Sequence, residues 1–419
     1  MRGVGRFGPL KERQFRLLWF ARTGSVVGDS LIPVALIWAV GHDLGAGATG
    51  VGLVLACYVV GGAAVTLAAG VWADRLPRRT VMIGADLVRL GTQSTTAVLL
   101  FAGTAHVWQL AVLQGLAGAA AGFFNPASKA LVPQTISSGR LQEANALISL
   151  SRSAANVFGP ALSGAIVAVA SAGWVFAIDA TSFLVSALFV AAIRVAPYAK
   201  PPAQRFWRDL AEGWQEVRRH RWLTAGFLGY AVGNFGVGIY IVIGSLVAMD
   251  RLGGAPAWGL IVGSAALGGV VGGVIAYRIR PTHPVAMAFA IWTLCALPPF
   301  ALVRPFPLPV VMATALLFGG SILVGNTLFE TAMQQEVEPR RLARVASIDL
   351  FLTLCLMPAG QALAGPISGA IGRDATLVVA GTLMCLPNFL VLVAVPEVRS
   401  VRRRDTEPER EREPALSAL

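Results

Sequence analysis

The sequence predicts an all-α membrane protein of twelve transmembrane helices, arranged as two pseudo-symmetric six-helix bundles. Three observations predict it. The composition is too poor in charge for a water-facing surface, long apolar segments alternate with basic clusters, and a repeat relates the two halves. Of 419 residues, 55% are hydrophobic and 13% charged, with a mean hydropathy of +0.67. Soluble domains are about a quarter charged, so the solvent for most of this chain is lipid.

The formal net charge of +12 is not a nucleic-acid footprint. The charges form short clusters between apolar runs and build no domain-sized basic face, which argues against DNA and RNA as partners. Anchoring to the lipid bilayer surface accounts for them. Cys57, Cys295, Cys355 and Cys385 all lie inside apolar runs, without metal-ligand spacing. They read as packing residues, and no disulfide framework, metal or cofactor is expected. The basic, then apolar, N-terminus reads as a retained first helix. Its apolar run carries Arg22 and Asp29 and lacks a small-residue cleavage site.

A spanning helix needs roughly 20 mostly apolar residues. Segments of that kind occur at 15–40, 49–72, 80–101, 107–124, 142–169 and 173–194, then at 222–248, 256–277, 284–303, 308–330, 343–370 and 374–395. Of the 34 Lys and Arg residues, 28 fall on one side: at the N-terminus, in the even-numbered loops and in the tail. Only Arg251, Arg304 and Arg373 fall on the other, and Arg22, Arg89 and Arg152 lie within spans. Positive charge collects on the cytoplasmic side, so both termini are expected there, in a multi-pass protein of the cell membrane. The expected organisation is an N-terminal bundle over 1–194, a linker over 195–221, a C-terminal bundle over 222–396 and a disordered tail over 397–419. The linker holds Phe206, Trp207 and Trp214 ahead of a basic end, the pattern of an amphipathic helix on the membrane surface.

The stretch from Arg140 to Gly164 has a counterpart from Arg341 to Gly365, 201 residues on. The same offset pairs Asn125 with Asn326 and Gln134 with Gln335. A six-helix unit has been duplicated. Parallel duplicated halves are a common transporter plan, with the substrate site at their interface near the bilayer midplane.

Between the second and third helices stands Gly70-Val-Trp-Ala-Asp74-Arg75-Leu-Pro-Arg78-Arg79. This resembles the G-x-x-x-D-R-x-G-R-[KR] loop of the major facilitator superfamily, with Pro77 in place of the usual glycine. By its own chemistry, Gly70 permits close helix approach, Asp74 caps or pairs at a helix end, and Arg75, Arg78 and Arg79 stay in the cytoplasm. The resemblance implies a conformational-switch loop. Its second-half equivalent is read as Gly273-Val-Ile-Ala-Tyr277-Arg278, which lacks the acid. Asn125-Pro126-Ala127, Glu143-Ala-Asn-Ala-Leu147, Phe176-Ala-Ile-Asp179 and Glu212-Gly213 are similar to the exporter branch containing enterobactin exporters and macrolide efflux proteins. Gly159-Pro160, with Gly164 a turn later, partly matches the glycine-rich antiporter motif of drug exporters. It also reads simply as a proline kink with a small-residue packing face. Ala111 stands where many drug antiporters place an arginine.

Ionisable groups at membrane depth are expensive unless paired or hydrated. Asp29 on the first helix has two roles open to it: a proton or substrate-cation site, or a buried structural pair with Arg152. Arg22 shares its helix face, about 10 Å away along the axis. Asp86 and Arg89 are spaced for a local pair, and Asp179 reads as a charge at the start of the sixth helix. Arg22, Arg152 and Asp349 are further proton-coupling or substrate candidates. Asp349 lies two turns into the eleventh helix, placed to contact the Asp74 loop region or gate the inner mouth, and Glu330 ends the tenth at the cytoplasmic face. Asn125, Asn326, Asn234, Tyr230 and Tyr240 are polar candidates for a cavity, or helix-packing hydrogen bonds. The expected function is proton-coupled efflux of a hydrophobic or amphipathic small molecule by a monomeric antiporter, with multidrug resistance as the phenotype. An importer or lysolipid flippase of the same fold, or a non-transporting receptor or scaffold, are the alternatives. No HExxH, G-x-S-x-G or phosphate-loop signature points to an enzyme or an ATP-driven pump.

Overall fold

The computed structural model describes residues 8–72, 77–194, 214–304 and 306–401. Twelve helices of 20 to 33 residues account for most of them. They are α1 (Arg13–Trp38), α2 (Gly47–Trp72), α3 (Arg78–Phe101), α4 (Val107–Thr135), α5 (Leu141–Val169) and α6 (Ala172–Ala192) in the first half. The second half holds α7 (Arg221–Arg251), α8 (Gly254–Arg278), α9 (Pro284–Val303), α10 (Leu308–Glu336), α11 (Pro339–Ile371) and α12 (Arg373–Ala394), with a short α13 (Pro396–Ser400) after them. Among the described residues, nine of these helices hold a stretch long and apolar enough to cross a membrane. α3 and α5 are as long but more polar. No strand occurs among the described residues.

α3 shows why polarity and burial coexist here. Asp86, Arg89 and Gln93 recur on one helical face and are buried, while Leu87, Val88 and Val98 face outward. The polar stripe looks into the protein and the apolar stripe into lipid, because only the bundle interior offers hydrogen-bond partners.

Several boundaries differ from expectation. α4 runs on to Thr135, through Pro126 and Pro133, where the sequence suggested a stop at 124. Within a bundle in lipid, ending the helix would expose more backbone than a proline removes. α9 breaks into a 3-10 turn at Thr293–Ala296, just before Pro298 and Pro299. Those prolines lack the N–H groups that would bond the carbonyls of Leu294 and Cys295. The tail begins in order: α13 buries Val398, and Glu397 lies 4.0 Å from Arg221. The remainder, 402–419, and the linker residues 195–213 lie outside the described residues. What is described of the linker is a helical turn over 214–217, with Val217 buried.

Packing within the halves follows one pattern. α1 packs on α5 and α6, α2 on α4, and α3 on α4 and α6. The second half repeats this: α7 on α11 and α12, α8 on α10, and α9 on α10 and α12. Glycines set the closest approaches. A side chain at Gly118 would overlap the Tyr58 carbonyl, and one at Gly61 the Gly115 carbonyl. In the second half Gly319 meets the Ala265 carbonyl and Gly268 the Leu316 carbonyl. Gly115 to Leu316 is again 201 residues, but Gly61 to Gly268 and Tyr58 to Ala265 are each 207. The offset therefore changes between helices. Carried along α2, 207 takes Gly70 to Tyr277 and not to Gly273, so the second-half loop equivalent read from sequence is one turn out of register.

Gly319→Val is expected to destabilise the C-terminal bundle by about 1–3 kcal/mol, the usual cost of overpacking. A lowered melting temperature in detergent would show it.

The two halves meet along two seams, α5 with α8 and α2 with α11. At the first, Gly164 abuts Ala255 and Pro256, Gly259 abuts the Pro160 carbonyl, and Gly263 abuts the Val157 carbonyl. At the second, Gly365 abuts Thr49, and Gly52 abuts the Gln361 carbonyl. Pro160 and Gln361 are 201 residues apart, as are Gly164 and Gly365. The seams are thus related by the same pseudo-two-fold as the bundles. Both lie toward the end of the molecule away from the start of α1, since they use the early residues of α2 and α8 and the later residues of α5 and α11.

Candidate functional site

The first half encloses a polar cluster. Arg89 of α3 is 3% exposed and lies between two aromatic rings, its guanidinium carbon 4.3 Å from the centre of Phe124 and 4.1 Å from that of Phe183. Planar guanidinium suits such a slot, where a compact ammonium would not. Its Nη2 donates to Asp86 Oδ1 at 2.5 Å, and its Nη1 lies 3.6 Å from Asp29 Oδ2 on α1. Asp86 also accepts from Ser186 Oγ of α6 at 2.7 Å. One cation thus ties α1 to α3 while gripped by α4 and α6.

Asp179 of α6 completes the group. Its side chain is 0% exposed, and Ser182 Oγ donates to its Oδ1 at 3.4 Å. The charges acting on it are those of Asp29 and Arg89. Its Oδ2 has no hydrogen-bond partner among the described residues, and the same holds for Arg89 Nε and Gln114 Oε1. Gln114 of α4 donates to Gln93 Oε1 at 3.2 Å, which extends the network across the bundle. Three carboxyl groups and one guanidinium therefore share the interior of the first bundle, with Asp86, Asp179 and Arg89 buried.

Asp179 is no helix-end charge. It lies two turns into α6, and Gly28 on α1 makes room for it, since a Cβ there would overlap Asp179 Oδ1. Asp29 is the most accessible of the three acids, at 38% side-chain exposure. Pro33, four residues on, lacks the N–H that would bond the Asp29 carbonyl, so the helix is also locally freed there.

The pairing of Asp29 with Arg152 expected as one alternative is not formed; Asp29 pairs with Arg89 instead. Arg152 is exposed, while Arg22 is buried and has no acidic partner among the described residues. Arg152 is the charge acting on Arg22.

The kink residues stand between this cluster and the first seam. Gly159 abuts Ser30, the residue after Asp29, and Ser163 Oγ donates to the Leu31 carbonyl at 2.6 Å. On its other side the same stretch meets α8 through Pro160 and Gly164. A shift of α1 at Asp29 therefore bears directly on the seam.

Of the loop motif, Arg78 Nη1 donates to the Ala130 carbonyl of α4 at 2.5 Å, and Arg79 donates to the Val190 carbonyl at 3.2 Å and to that of Ala191, at the end of α6. Both arginines tie α3 to neighbouring helices, and Arg79 satisfies carbonyls that a helix end leaves open. Asp74 and Arg75 lie outside the described residues; Gly70 and Asp349 are described only as helical residues of α2 and α11.

The polar candidates separate. Asn125 is exposed, and Asn234 is half-buried with a buried Nδ2 that has no partner among the described residues. Tyr240 is buried between Trp258 and Phe318 and belongs to the core. Tyr230 and Asn326 come together, lining a cavity of about 230 Å³ with Phe227, Trp292, Phe329 and Glu330. The sequence reading did not single out Trp292 or Phe329, because an aromatic residue on an apolar helix has no signature separating wall from core. Cys295 is buried beside Ser321, and the four cysteines are free.

Two helical bundles joined along paired seams, with charges buried in one and a cavity in the other, define a multi-pass membrane transporter for small molecules. The sequence model of the Major Facilitator Superfamily matches residues 18–356, and the chain belongs to that superfamily. It is 27% identical to the multidrug efflux pump Tap of Mycobacterium tuberculosis, over 92% of this chain and 94% of that protein. It is 22% identical to macrolide efflux protein A of Streptococcus pyogenes, over 94% and 97% respectively. Among solved structures, a bacterial homologue of the iron transporter ferroportin in its inward-facing state superposes with a TM-score of 0.68 at 18% identity, covering 92% of this chain and 98% of that one.

Proposed function

We propose that the chain is a proton-coupled exporter of a hydrophobic or amphipathic small molecule, acting as a monomer in the cell membrane with both termini cytoplasmic. The observation that carries this reading is the placing of three carboxyl groups around Arg89, tied through Ser30 and Gly159 to the seam between the halves. Arg89 is the guanidinium in contact with the acids and Arg152 acts on Asp29 from farther off, so two cations face three carboxyl groups. Like charges in a poorly solvated site do not all ionise together. Such a site has room for a transferable proton.

Asp29, the most accessible acid, is the entry point in this scheme. A proton on Asp29 removes its attraction to Arg89, which stays paired with Asp86. α1 is then released from α3, and the contact of Ser30 with Gly159 passes the change to α5 and α8. A ligand or proton shifts such an equilibrium only by its differential affinity for the two states, and the Asp29–Arg89 pair supplies that difference. With the termini cytoplasmic, the seams seal the outer side and the molecule faces inward, a state open to a substrate arriving from the cytoplasm or inner leaflet. The efflux proteins among the relatives support export as the direction.

Asp29→Asn keeps the shape and removes the titration. In everted vesicles it is expected to reduce pH-gradient-driven transport to the background of vesicles lacking the protein, with normal yield and monodispersity. Undiminished gradient-driven transport would overturn the role of Asp29. Net flux in the opposite sense would favour an importer or flippase on the same fold.

A further inference from the structure

We propose that the cavity between α7, α9 and α10 is a binding subsite for an organic ammonium group carrying an apolar body, with Glu330 as counter-charge and Trp292 and Phe329 as walls. It rests on the exporter reading only for the direction of travel.

The cavity, about 230 Å³, lies within the first three turns of α7 and the last three of α10. That places it toward the end of the molecule where α1 begins, away from the sealed seams. Its walls are preformed. Phe329 meets Trp222, Phe227, Phe289 and Trp292 with ring centroids 5.4, 6.0, 6.2 and 5.5 Å apart, mostly edge to face. Rings that lock one another in this way lose little freedom when a ligand arrives.

Two glycines admit the rings. A Cβ at Gly226 would stand 2.7 Å from the Phe329 ring, and one at Gly325 would overlap the Trp292 indole. Trp292 is also the last residue before α9 departs from α-helical geometry at Thr293–Ala296.

The charge of the site has one sign. Glu330 is exposed at the cavity, without a basic partner among the described residues, and no Lys or Arg lines it. Asn326 and Gln334 add neutral hydrogen-bonding groups. Aromatic faces attract cations through the ring quadrupole, most strongly when the cation is desolvated. A carboxylate beside them favours a cation, repels an anion and gives a neutral hydrophobe nothing beyond burial. The size admits an ammonium group with one aromatic ring attached.

The test compares benzyltrimethylammonium with its uncharged carbon isostere, neopentylbenzene, by calorimetry on the purified full-length protein in detergent. The wild type is expected to bind the ammonium at least about tenfold tighter than the isostere, the scale of a single well-placed charge contact. Glu330→Gln should erase that preference while leaving isostere binding unchanged, and Phe329→Leu should weaken both ligands. If Glu330→Gln aggregates, Glu330→Asp is expected to fold and show a reduced preference. Equal binding of the two ligands by the wild type, or a preference untouched by either Glu330 substitution, would overturn the subsite. Gradient-driven flux in vesicles separates the two readings. Flux without ammonium preference in the binding assay removes the subsite and spares the exporter. Ammonium preference without flux does the reverse.

Discussion

Arg89→Met is expected to give a protein that folds poorly or melts far below the wild type, with a loss of about 3–5 kcal/mol, as when one partner of a buried ion pair is removed. Arg89 is the single cation paired with Asp86 and Asp29, and it fills the slot between Phe124 and Phe183. Met restores the apolar volume but strands Asp86, which then keeps only the hydrogen bond from Ser186. Arg89→Lys should recover little, because a compact ammonium neither stacks between two rings nor forks toward two carboxylates. Adding Asp86→Asn to Arg89→Met should restore part of the loss, since it removes the stranded charge. Melting temperatures of the two single variants and the double variant close a mutant cycle. An Arg89→Met protein as stable as the wild type would remove Arg89 as the centre of this cluster.

Gly259→Val is expected to abolish transport with little loss of thermal stability. Gly259 abuts the Pro160 carbonyl across the α5–α8 seam, and no side chain fits there while the halves stay in contact. Each bundle is held mainly by contacts within itself, so wedging the seam apart shifts the inward/outward balance more than it unfolds either half. Gly52→Val should behave alike, because Gly52 meets the Gln361 carbonyl at the pseudo-symmetric position. Flux in vesicles and melting temperature on the same preparation check this. The contrast with Gly319→Val matters, since Gly319 packs inside a bundle and its substitution should lower stability. Normal flux in Gly259→Val would mean that the α5–α8 contact is not needed in the transport cycle.

Much of this was legible in the residues. Segment length, hydropathy and the distribution of arginine led to twelve long helices whose ends fall mostly within a few residues of expectation. The exceptions have local causes. Asn125-Pro126 looks like a stop, yet α4 runs through it because lipid offers no other partner for the backbone. Pro298-Pro299 looks harmless inside an apolar run, yet it divides α9. The 201-residue repeat was readable in α4, α5, α10 and α11, where identities survive. The 207-residue offset of α2 and α8 was not, because it is carried by glycines meeting carbonyls across a helix pair.

The candidate site was legible in its ingredients and not in its pairing. Asp29, Asp86, Arg89 and Asp179 are conspicuous as charges in apolar runs. Sequence separation does not reveal which acid an arginine reaches: Arg89 is 60 positions from Asp29 and pairs with it, while Arg152 shows no pair with it. Asp179 reads as a helix-end charge because its neighbours are ordinary, and only the packing of α1 on α6 at Gly28 buries it.

By itself, then, the sequence determined the solvent of each helix, the number of long helices and the duplication, because these depend on transfer free energy and periodicity, which are properties of local segments. Only the tertiary structure decided that Arg89 serves Asp29, that Pro160 and Gly164 form a seam with α8, and that Trp292 and Phe329 wall a cavity beside Glu330. Those depend on which helix faces meet, and in lipid, where apolar faces have little reason to prefer one partner, that is settled by close small-residue packing and by the few charges that must find one another.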